Sequence, residues 1–458
     1  MTDEANALKA QRRFDEAIEL YAKAATRYPQ SAAAEHNWAG ALGDAGRASE
    51  AEQHIRRAFA KGIKAPESWL VLARALLAQG KLDEAHDAFR KCVALNPGML
   101  EAQYELAQLI WMTTADPDAA IRPLDSLIAD YPDTTDLYSL KARVMMYTTP
   151  PAATYRFVAQ ALERWPDDAK LLVVGIDAAT LAEEPAAALS MSDRLIALRP
   201  DSTSAQIMRV NALLAAGRAE EALPLAEQMC ARDPNDQLAL GLLAVACRLV
   251  GDSRYTELYD YAQLVRAYRL TAPEGWESLD AYLADLGGAL RSRHPFKTHP
   301  FSNSEEHGSK IADLLEMDDP AIRAIPEALA SAVKAHLEHL GTGDDPVRSR
   351  NTGRWKIDGI WSVWLKPNGF HHDHVHPTAW LSSACYIELP HQVDAGGQEG
   401  WIKFGQPGPV TSPKLPYEHA VKPEPGMLVL FPSYMWHGTI PFSGDEPRLT
   451  IALDIVPD

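Results

Sequence analysis

A repeat of about 34 residues runs through the first half of the chain and constrains its fold more than any other feature. Prolines that recur on this period are Pro29, Pro97, Pro132, Pro166, Pro200 and Pro234, separated by 68, 35, 34, 34 and 34 residues. Small residues stand twelve positions before the expected prolines, at Ala17, Ala51, Ala85, Ala120, Ala188 and Ala222, with Thr154 as the exception. Small residues allow two helices to approach closely and proline ends a helix, so each repeat is expected to be a pair of helices.

Glycines follow the same period at Gly46, Gly80, Gly217 and Gly251 and suit the turn between two paired helices. This pattern resembles the tetratricopeptide repeat, with about seven repeats over residues 1–251. The resemblance implies an all-α solenoid whose concave face binds a peptide or protein ligand. The alternative is a purely structural solenoid that packs on the rest of the chain or forms a homodimer.

The composition changes twice after the repeats end. Residues 252–350 still contain runs with helical spacing, such as LYDYAQLVRAYRL, and are predicted to form a helical linker or support region. Residues 351–458 contain short runs rich in tryptophan and β-branched residues, separated by turn residues, which predict a β-sandwich or barrel. The predicted fold class is therefore α+β and multidomain, with a helical solenoid followed by a β-domain that has flanking helices.

Charge and hydropathy exclude several classes of protein. The chain has 62 acidic and 44 basic residues and a formal charge of −18, so a general nucleic-acid binder is not expected. No run of 18 apolar residues occurs, so we expect no membrane span. The N-terminal segment lacks the apolar region of a signal peptide, and the four cysteines are scattered without metal-ligand spacing. We expect a cytoplasmic protein with reduced thiols.

Polar residues in the β-rich region stand in a fixed order. The histidine-rich segment 371–377 follows the strand-like run IWSVWL, and His437 follows the apolar run GMLVLFPS, 63 residues after His374. Arg448 and Thr450 open the last apolar run, eleven residues after His437. Residues i and i+2 of an extended segment point the same way, so His374 and His376 present two imidazoles on one side.

These spacings indicate a facial metal site. Oxygenases hold non-haem Fe(II) by three protein groups on one face and leave the other face open. His374, His376 and His437 are the candidate metal ligands. Arg448 suits a bidentate salt bridge to the far carboxylate of 2-oxoglutarate, and Thr450 on the same face adds a hydroxyl.

The stretch 361–456 resembles the 2-oxoglutarate/Fe(II) oxygenases of bacteria and phages, which are often fused to tetratricopeptide repeats. The shared motifs read HVHP, SSACY, LVLFPSYMWHGT and RLT in this chain. The resemblance implies a double-stranded β-helix, or jelly roll, that uses Fe(II), 2-oxoglutarate and O2. It also implies oxidative decarboxylation coupled to hydroxylation, here of a peptide or protein side chain or of a small molecule.

One departure from the usual pattern leaves the ligand set open. Most 2-oxoglutarate oxygenases have H-x-D, whereas this chain has His376 at the third position, which leaves the metal site one unit more positive. Water in place of His376 is one alternative, and His371 with Asp373, which reads literally as H-x-D, is another. Asp373 points away from His374 if the segment is extended.

Other residues and functions were weighed against this interpretation. Asp454 and Glu388 are expected to be structural or surface carboxylates, and His294 and His299 to belong to an ordered loop. A catalytically silent jelly roll with scaffolding repeats is the main alternative function. A cupin-type metal enzyme without 2-oxoglutarate is the other, but it needs no carboxylate anchor such as Arg448.

Overall fold

A computed structural model gives the fold of residues 2–11, 13–301 and 303–458. The chain divides into two compact units, residues 1–144 and residues 145–458. The division between residues 144 and 145 differs from the domain boundaries that the sequence predicts, after residues 251 and 350. Those two boundaries stay predictions. Within the described ranges no helix is long and apolar enough to cross a membrane.

Consecutive antiparallel helix pairs form the part of the chain that carries the repeats. The helices are α1 (Thr2–Ala10), α2 (Phe14–Arg27), α3 (Ala32–Asp44), α4 (Ala48–Ala60), α5 (Pro66–Ala78), α6 (Leu82–Leu95), α7 (Leu100–Thr114), α8 (Pro117–Asp130), α9 (Thr135–Thr148), α10 (Pro151–Arg164), α11 (Ala169–Leu181), α12 (Pro185–Leu198), α13 (Thr203–Ala215), α14 (Ala219–Arg232) and α15 (Gln237–Val250). The four periodic glycines have φ between 71° and 77°, which only glycine adopts without strain. Side chains at Ser31, Asp168, Ser202 and Asp236 cap helix N-termini, which satisfies backbone N–H groups that have no partner within the helix.

Small residues fill the contacts inside the first unit, as the repeat pattern predicts. Ala17, Ala51 and Ala75 are almost fully buried beside Leu42 and Tyr21. An alanine at such a position lets neighbouring helices approach closely, and any larger side chain would force them apart. The periodic small residues of the sequence therefore mark positions at which neighbouring helices touch.

Residues 252–350 are less helical than the sequence predicts. The run LYDYAQLVRAYRL forms two short helices and a strand instead of one helix. The helices of this region are α16 (Arg254–Leu258), α17 (Tyr261–Leu264), α18 (Leu279–Arg291), α19 (Pro320–Arg323) and α20 (Ile325–Leu340), and its strands are β1 (Arg266–Arg269) and β2 (Glu305–Ile311). Both strands complete the large sheet of the C-terminal region. Pairing with a distant strand overrides the local helical pattern at β1, whereas β2 overlaps the stretch SRHPFKTHPFSNSEEHGSK, whose sequence already breaks that pattern.

Two antiparallel sheets form the C-terminal region. Their further strands are β3 (Trp355–His371), β4 (Leu381–Glu388), β5 (Ile402–Phe404), β6 (His419–Val421), β7 (Met427–Pro432), β8 (His437–Thr439) and β9 (Arg448–Pro457). The larger sheet has six strands in the order β1-β7-β4-β9-β3-β2, and the smaller has three in the order β6-β5-β8. Five of the runs that predict strands, from IDGIWSVWL to RLTIALDIV, coincide with β3, β4, β5, β7 and β9.

The last repeat helix, α15, shares one hydrophobic core with the sheets of the second unit. Leu242, Phe431 and Trp436 belong to this core. The Trp436 indole N–H donates a hydrogen bond of 3.0 Å to the Gly241 carbonyl in α15. A Cβ at Gly241 would lie 3.0 Å from the Tyr434 carbonyl oxygen, so this close approach requires glycine. Helix α15 thus supports the segment that leads directly into His437.

Candidate metal centre

Backbone pairing brings two distant histidines together. His374 and His437 form an isolated antiparallel bridge, in which the two residues exchange N–H···O bonds of 2.9 and 3.1 Å. His437 begins β8 and pairs with Phe404 of β5. The His376 N–H donates to the Ser433 carbonyl at 3.0 Å, which fixes the next part of the histidine-rich segment. The segment 374–376 therefore lies alongside the strand that carries His437.

Three imidazoles converge at this point. One ring nitrogen from each of His374, His376 and His437 lies within 4.8 Å of the other two. The Nε2 atoms of His374 and His376 are 3.2 Å apart. The ring centroids of His374 and His437 are 4.3 Å apart, and those of His376 and His437 are 5.2 Å apart. The structure thus assembles the three ligands predicted from the sequence, and their role as ligands stays a proposal.

Hydrogen bonds at Nδ1 orient all three rings. Nδ1 of His374 lies 2.8 Å from the His372 carbonyl oxygen, and Nδ1 of His437 lies 2.9 Å from the Met435 carbonyl oxygen. Nδ1 of His376 lies 2.8 Å from a carboxylate oxygen of Asp454. Because these oxygens only accept, each Nδ1 carries the proton, and in the neutral ring Nε2 keeps its lone pair. This arrangement fixes the tautomer that a metal ligand needs.

Burial keeps two of the rings neutral. It lowers the pKa of His374 to about 3, with a further contribution from the neighbouring His376. It also holds the pKa of His437 well below its usual range. Because a protonated imidazole cannot bind a metal, these environments keep Nε2 available at neutral pH.

Asp454 is a part of the site that the sequence interpretation missed. It was expected to be a structural or surface carboxylate, but it holds Nδ1 of His376 and accepts a hydrogen bond of 2.9 Å from the Ser382 hydroxyl. Arg448, Thr450 and Asp454 all line one cavity from β9. Their successive spacings of two and four residues place them on one face of the strand, and this even spacing is the sequence signal that could have identified Asp454.

The alternative pair, His371 and Asp373, forms no ligand cluster of its own within the described parts of the chain. The His371 ring stacks on that of His374, with centroids 6.0 Å apart. Asp373 accepts a hydrogen bond of 2.8 Å from the Lys403 ammonium and is not among the residues that line the cavity. Burial raises the pKa of Asp373, and the ion pair with Lys403 opposes that shift. His371 lines the cavity, where its Nδ1 lies 3.1 Å from the Ser304 hydroxyl. Among the described residues, only the set of His374, His376 and His437 meets the distance criteria for a metal site.

Arg448 is a buried cation without an ionic partner in the part of the chain that the structure describes. Only 2% of its surface is exposed, and its Nε and Nη1 atoms have no hydrogen-bond partner there. Its guanidinium lies 5.1 Å from the centre of the Tyr386 ring, and burial lowers its pKa. The Tyr386 hydroxyl is buried beside the guanidinium, and its interaction with Arg448 opposes the effect of burial on the pKa of Arg448. Leaving such a charge unpaired is costly, so the site is suited to an anion.

The Thr450 hydroxyl lies on the same face of β9 as Arg448. It is buried and donates a long hydrogen bond of 3.4 Å to the Val363 carbonyl oxygen. Thr450 pairs directly with Val363 of β3, and Arg448 pairs with Leu365. The two predicted anchor residues therefore come together on the wall of one cavity.

A cavity of about 460 Å³ brings together the proposed ligands and the proposed anchor residues. The three imidazoles, Arg448 and Thr450 line it from the β-strands. Glu305, Lys310 and Trp361 form another corner. Glu305 and Lys310 lie in the stretch 292–310, whose sequence breaks the helical pattern but has no strand-like alternation, so it predicts no strand there.

The remaining residues weighed in the sequence take structural positions. His294 lies between two hydroxyls, with its ring nitrogens 3.1 Å from Ser309 Oγ and 3.1 Å from Ser362 Oγ, and burial lowers its pKa to about 4. His299 is buried. Glu388 forms an ion pair with Arg291. None of these three belongs to the residues that line the cavity.

Comparison with known families agrees with both halves of this description. Residues 359–454 match the sequence model of a family described as "Putative 2OG-Fe(II) oxygenase". Four tetratricopeptide-repeat models match residues 4–31, 36–100, 76–144 and 203–246. No curated protein matches the chain.

Several solved structures are similar to the helical part at low identity. A tetratricopeptide repeat protein from Parabacteroides merdae is 15% identical, with 54% of this chain and 96% of that chain covered and a TM-score of 0.38. The C-terminal part of a repeat protein from Cytophaga hutchinsonii is 15% identical, with 53% and 99% covered and a TM-score of 0.38. Yeast Tom70 is 16% identical, with 56% and 55% covered and a TM-score of 0.43.

The helix pairs and the repeat models agree over the N-terminal part, and the antiparallel sheets contain the residues that match the oxygenase model. The chain therefore joins tetratricopeptide repeats to a domain that matches the 2OG-Fe(II) oxygenase family.

Proposed function

We propose that the protein is an Fe(II)- and 2-oxoglutarate-dependent dioxygenase that hydroxylates a peptide or protein side chain or a small molecule. One observation carries the proposal. Three imidazoles whose ring nitrogens converge and a buried guanidinium without an ionic partner among the described residues line the same cavity. A metal ion would bind the three imidazole nitrogens, and a carboxylate would pair with the guanidinium.

The donor set fits a metal ion. The Nε2 atoms of His374 and His376, 3.2 Å apart, both present lone pairs when their Nδ1 atoms donate, and two facing lone pairs repel. A cation between them and His437 removes that repulsion. Three histidines also bind zinc, so the imidazoles alone do not select iron.

Arg448 supports 2-oxoglutarate as the cosubstrate. A planar guanidinium forms paired hydrogen bonds with a carboxylate, and burial strengthens them. Tyr386 lies beside Arg448, with the guanidinium 5.1 Å from the centre of its ring, and would help to hold the guanidinium in place for the carboxylate. In a cupin-type enzyme that does not use 2-oxoglutarate, this buried cation would have no carboxylate to bind.

The residues of the chain then have separate roles. His374, His376 and His437 would hold the metal, and Arg448 with Thr450 would orient the far carboxylate of 2-oxoglutarate. When bound, the iron and the keto acid supply oxidative decarboxylation coupled to hydroxylation. Asp454 holds the ring of His376 in the orientation that presents Nε2.

We also propose that the two antiparallel sheets form the double-stranded β-helix of this enzyme class. The bridge between His374 and His437 extends the smaller sheet beyond β8, which gives that sheet a fourth strand segment. The tetratricopeptide repeats are proposed to recruit the substrate on their concave face, since stacked repeats present an extended surface for peptides.

Anaerobic titration of the full chain tests this function. Addition of Fe(II) and 2-oxoglutarate should produce a visible metal-to-ligand charge-transfer band, and His437→Ala should abolish it. Thr439→Val, at the other end of β8, is a control that should keep the band. A wild-type protein that binds iron but shows no band would favour the cupin-type enzyme. A protein that binds neither would favour the silent scaffold.

A further inference from the structure

The proposed ligands and anchor leave one corner of the cavity unexplained. Glu305 lines this corner from the start of β2, together with Lys310 and Trp361. Glu305 pairs directly with His371 of β3, so its side chain lies on the same face of the sheet as His371, another residue that lines the cavity.

The Glu305 carboxylate is buried and incompletely paired. Only 2% of the residue is exposed, and Oε2 has no hydrogen-bond partner within the described parts of the chain. Its other oxygen, Oε1, lies 3.6 Å from the Lys310 ammonium, which is too long for a hydrogen bond. A buried carboxylate oxygen without a donor is strongly unfavourable, so the corner is suited to a ligand that supplies an N–H donor.

Lys310 shows which chemistry this corner accepts. Its ammonium lies 4.6 Å from the centre of the Trp361 ring and 3.3 Å from the Asn303 carboxamide oxygen. The face of an indole ring and a nearby carboxylate together stabilise a cation. A positive charge from the protein itself thus already occupies the edge of the corner.

Trp361 also connects the corner to the proposed metal centre. Its ring stacks on His376, with centroids 5.6 Å apart and an interplanar angle of 17°. A group held against the Trp361 ring and Glu305 is therefore separated from a proposed metal ligand by one aromatic ring.

We propose that Glu305 and Trp361 bind a cationic group of the primary substrate, the ammonium or guanidinium of a basic side chain. The inference rests on the proposed function, because it assigns a substrate class to the same cavity. While the substrate is absent, the Lys310 ammonium is the cation nearest to Glu305, and it would compete with the substrate cation when the substrate binds.

Binding of small side-chain probes to the full chain tests this proposal. The probes are N-acetyl-lysine amide and N-acetyl-arginine amide, with N-acetyl-norleucine amide as the neutral counterpart. Calorimetry and ligand-observed NMR are run with Fe(II) and 2-oxoglutarate under anaerobic conditions, and again without either. The wild-type protein should prefer at least one cationic probe over norleucine by on the order of tenfold or more.

Three variants separate the contributions. Glu305→Gln keeps the shape of the side chain and should remove the preference. Glu306→Gln is the matched control, because Glu306 is adjacent, one-third exposed and paired with His372, and it should keep the preference. Lys310→Met removes the competing ammonium and should increase the affinity for the cationic probe. If Glu305→Gln fails to fold, the effect of Lys310→Met still decides the question.

Failure of the substrate proposal can be distinguished from failure of the oxygenase proposal. Loss of the charge-transfer band in wild-type protein would contradict the oxygenase proposal, and the metal-free titrations would still measure the cation preference. Equal or undetectable binding of the cationic and neutral probes to wild type would overturn the substrate proposal. So would a preference that survives in Glu305→Gln, since water or an unrelated group would then satisfy the carboxylate.

Discussion

Replacing Arg448 by methionine should make the ligand-free protein more stable and at the same time weaken its binding of 2-oxoglutarate. The guanidinium is 2% exposed, and Nε and Nη1 have no partner among the described residues, so the folded state bears the cost of burying a cation. Methionine fills similar space without charge. Replacement of buried charged groups by apolar ones stabilises some proteins by about 1–4 kcal/mol, and we expect a gain in the free energy of unfolding within that range.

The same substitution removes the carboxylate anchor. Loss of one partner from a buried charged pair costs about 2–5 kcal/mol. The dissociation constant for 2-oxoglutarate should therefore rise by roughly thirtyfold to several thousandfold. Affinity for Fe(II) should change little, because Arg448 is not one of the converging histidines.

Two measurements on the full chain check this prediction. Urea unfolding of the metal-free protein gives the change in stability, and anaerobic titration of the charge-transfer band gives the affinity. Addition of 2-oxoglutarate should raise the stability of iron-loaded wild type but not that of Arg448→Met. Thr450→Val is the graded control, since its hydroxyl makes only a long hydrogen bond, and it should weaken binding by about 1.5 kcal/mol or less.

Two results would contradict the prediction for Arg448→Met. If Arg448→Met titrates with 2-oxoglutarate like wild type, the anchor has been misassigned. If the substitution destabilises the metal-free protein by several kcal/mol, Arg448 has a structural partner, and weaker binding would no longer identify the anchor.

Four further predictions concern the metal site, the stability of the fold and the repeats. His374→Ala should abolish Fe(II) retention in equilibrium dialysis, whereas Asp373→Asn should leave it mostly intact; the reverse order would favour the alternative ligand pair. Asp454→Asn should weaken metal affinity by roughly tenfold to a hundredfold in the same assay, because it removes the charge that orients one imidazole. Burial lowers the pKa of His294 to about 4, so the unfolded chain takes up this proton first as the pH falls. His294 alone should lower the free energy of unfolding by about 3 kcal/mol from pH 7 to pH 4, and His294→Asn should reduce the fall measured by urea unfolding by that amount. Removal of residues 1–144 should leave cofactor binding intact but raise KM for the recruited substrate, while an unchanged kcat/KM would refute recruitment by that unit.

The helical repeats could be predicted because their signals are local and repeated. Each repeat uses a small residue at the helix contact, such as Ala51, and a glycine at the turn, such as Gly46, whose φ is 77°. The same steric requirement recurs every 34 residues, so one degenerate position, Thr154, does not hide the pattern. Thr154 is itself fully buried, and its hydroxyl lies 3.1 Å from that of Thr149, which satisfies the polar group that replaces the usual alanine.

The strands in residues 252–350 could not be predicted from local pattern. Arg266–Arg269 is short and continues a helical spacing, yet it pairs with β7, more than 150 positions further along the chain. β2 contains a register shift between Glu306 and Gly308, so its side chains do not alternate regularly. Pairing with distant strands decides both elements, and a single sequence does not display that information.

In the candidate site, too, some residues could be predicted from the sequence and others could not. The order of His374, His437 and Arg448 was sufficient to predict that the three line one cavity, because antiparallel strands return distant segments to the same edge. Glu305 was missed because it enters the cavity from β2, the strand with no regular pattern. Asp454 was missed for a different reason: its even spacing, six residues after Arg448 and four after Thr450, was visible, but a carboxylate on a strand is more often exposed.

The position of Asp454 also accounts for the departure from the H-x-D motif. The motif places a carboxylate directly on the metal, whereas in the proposed site an imidazole takes that position and a carboxylate lies one hydrogen bond behind it, 2.8 Å from Nδ1 of His376. Asp373, although adjacent to His374, is paired with Lys403 and contributes no net charge. The negative charge near the proposed metal is therefore moved outward by one imidazole instead of being lost. A carboxylate that accepts from Nδ1 increases the basicity of Nε2, so three histidines and Asp454 together offer an electrostatic environment close to that of two histidines and a carboxylate.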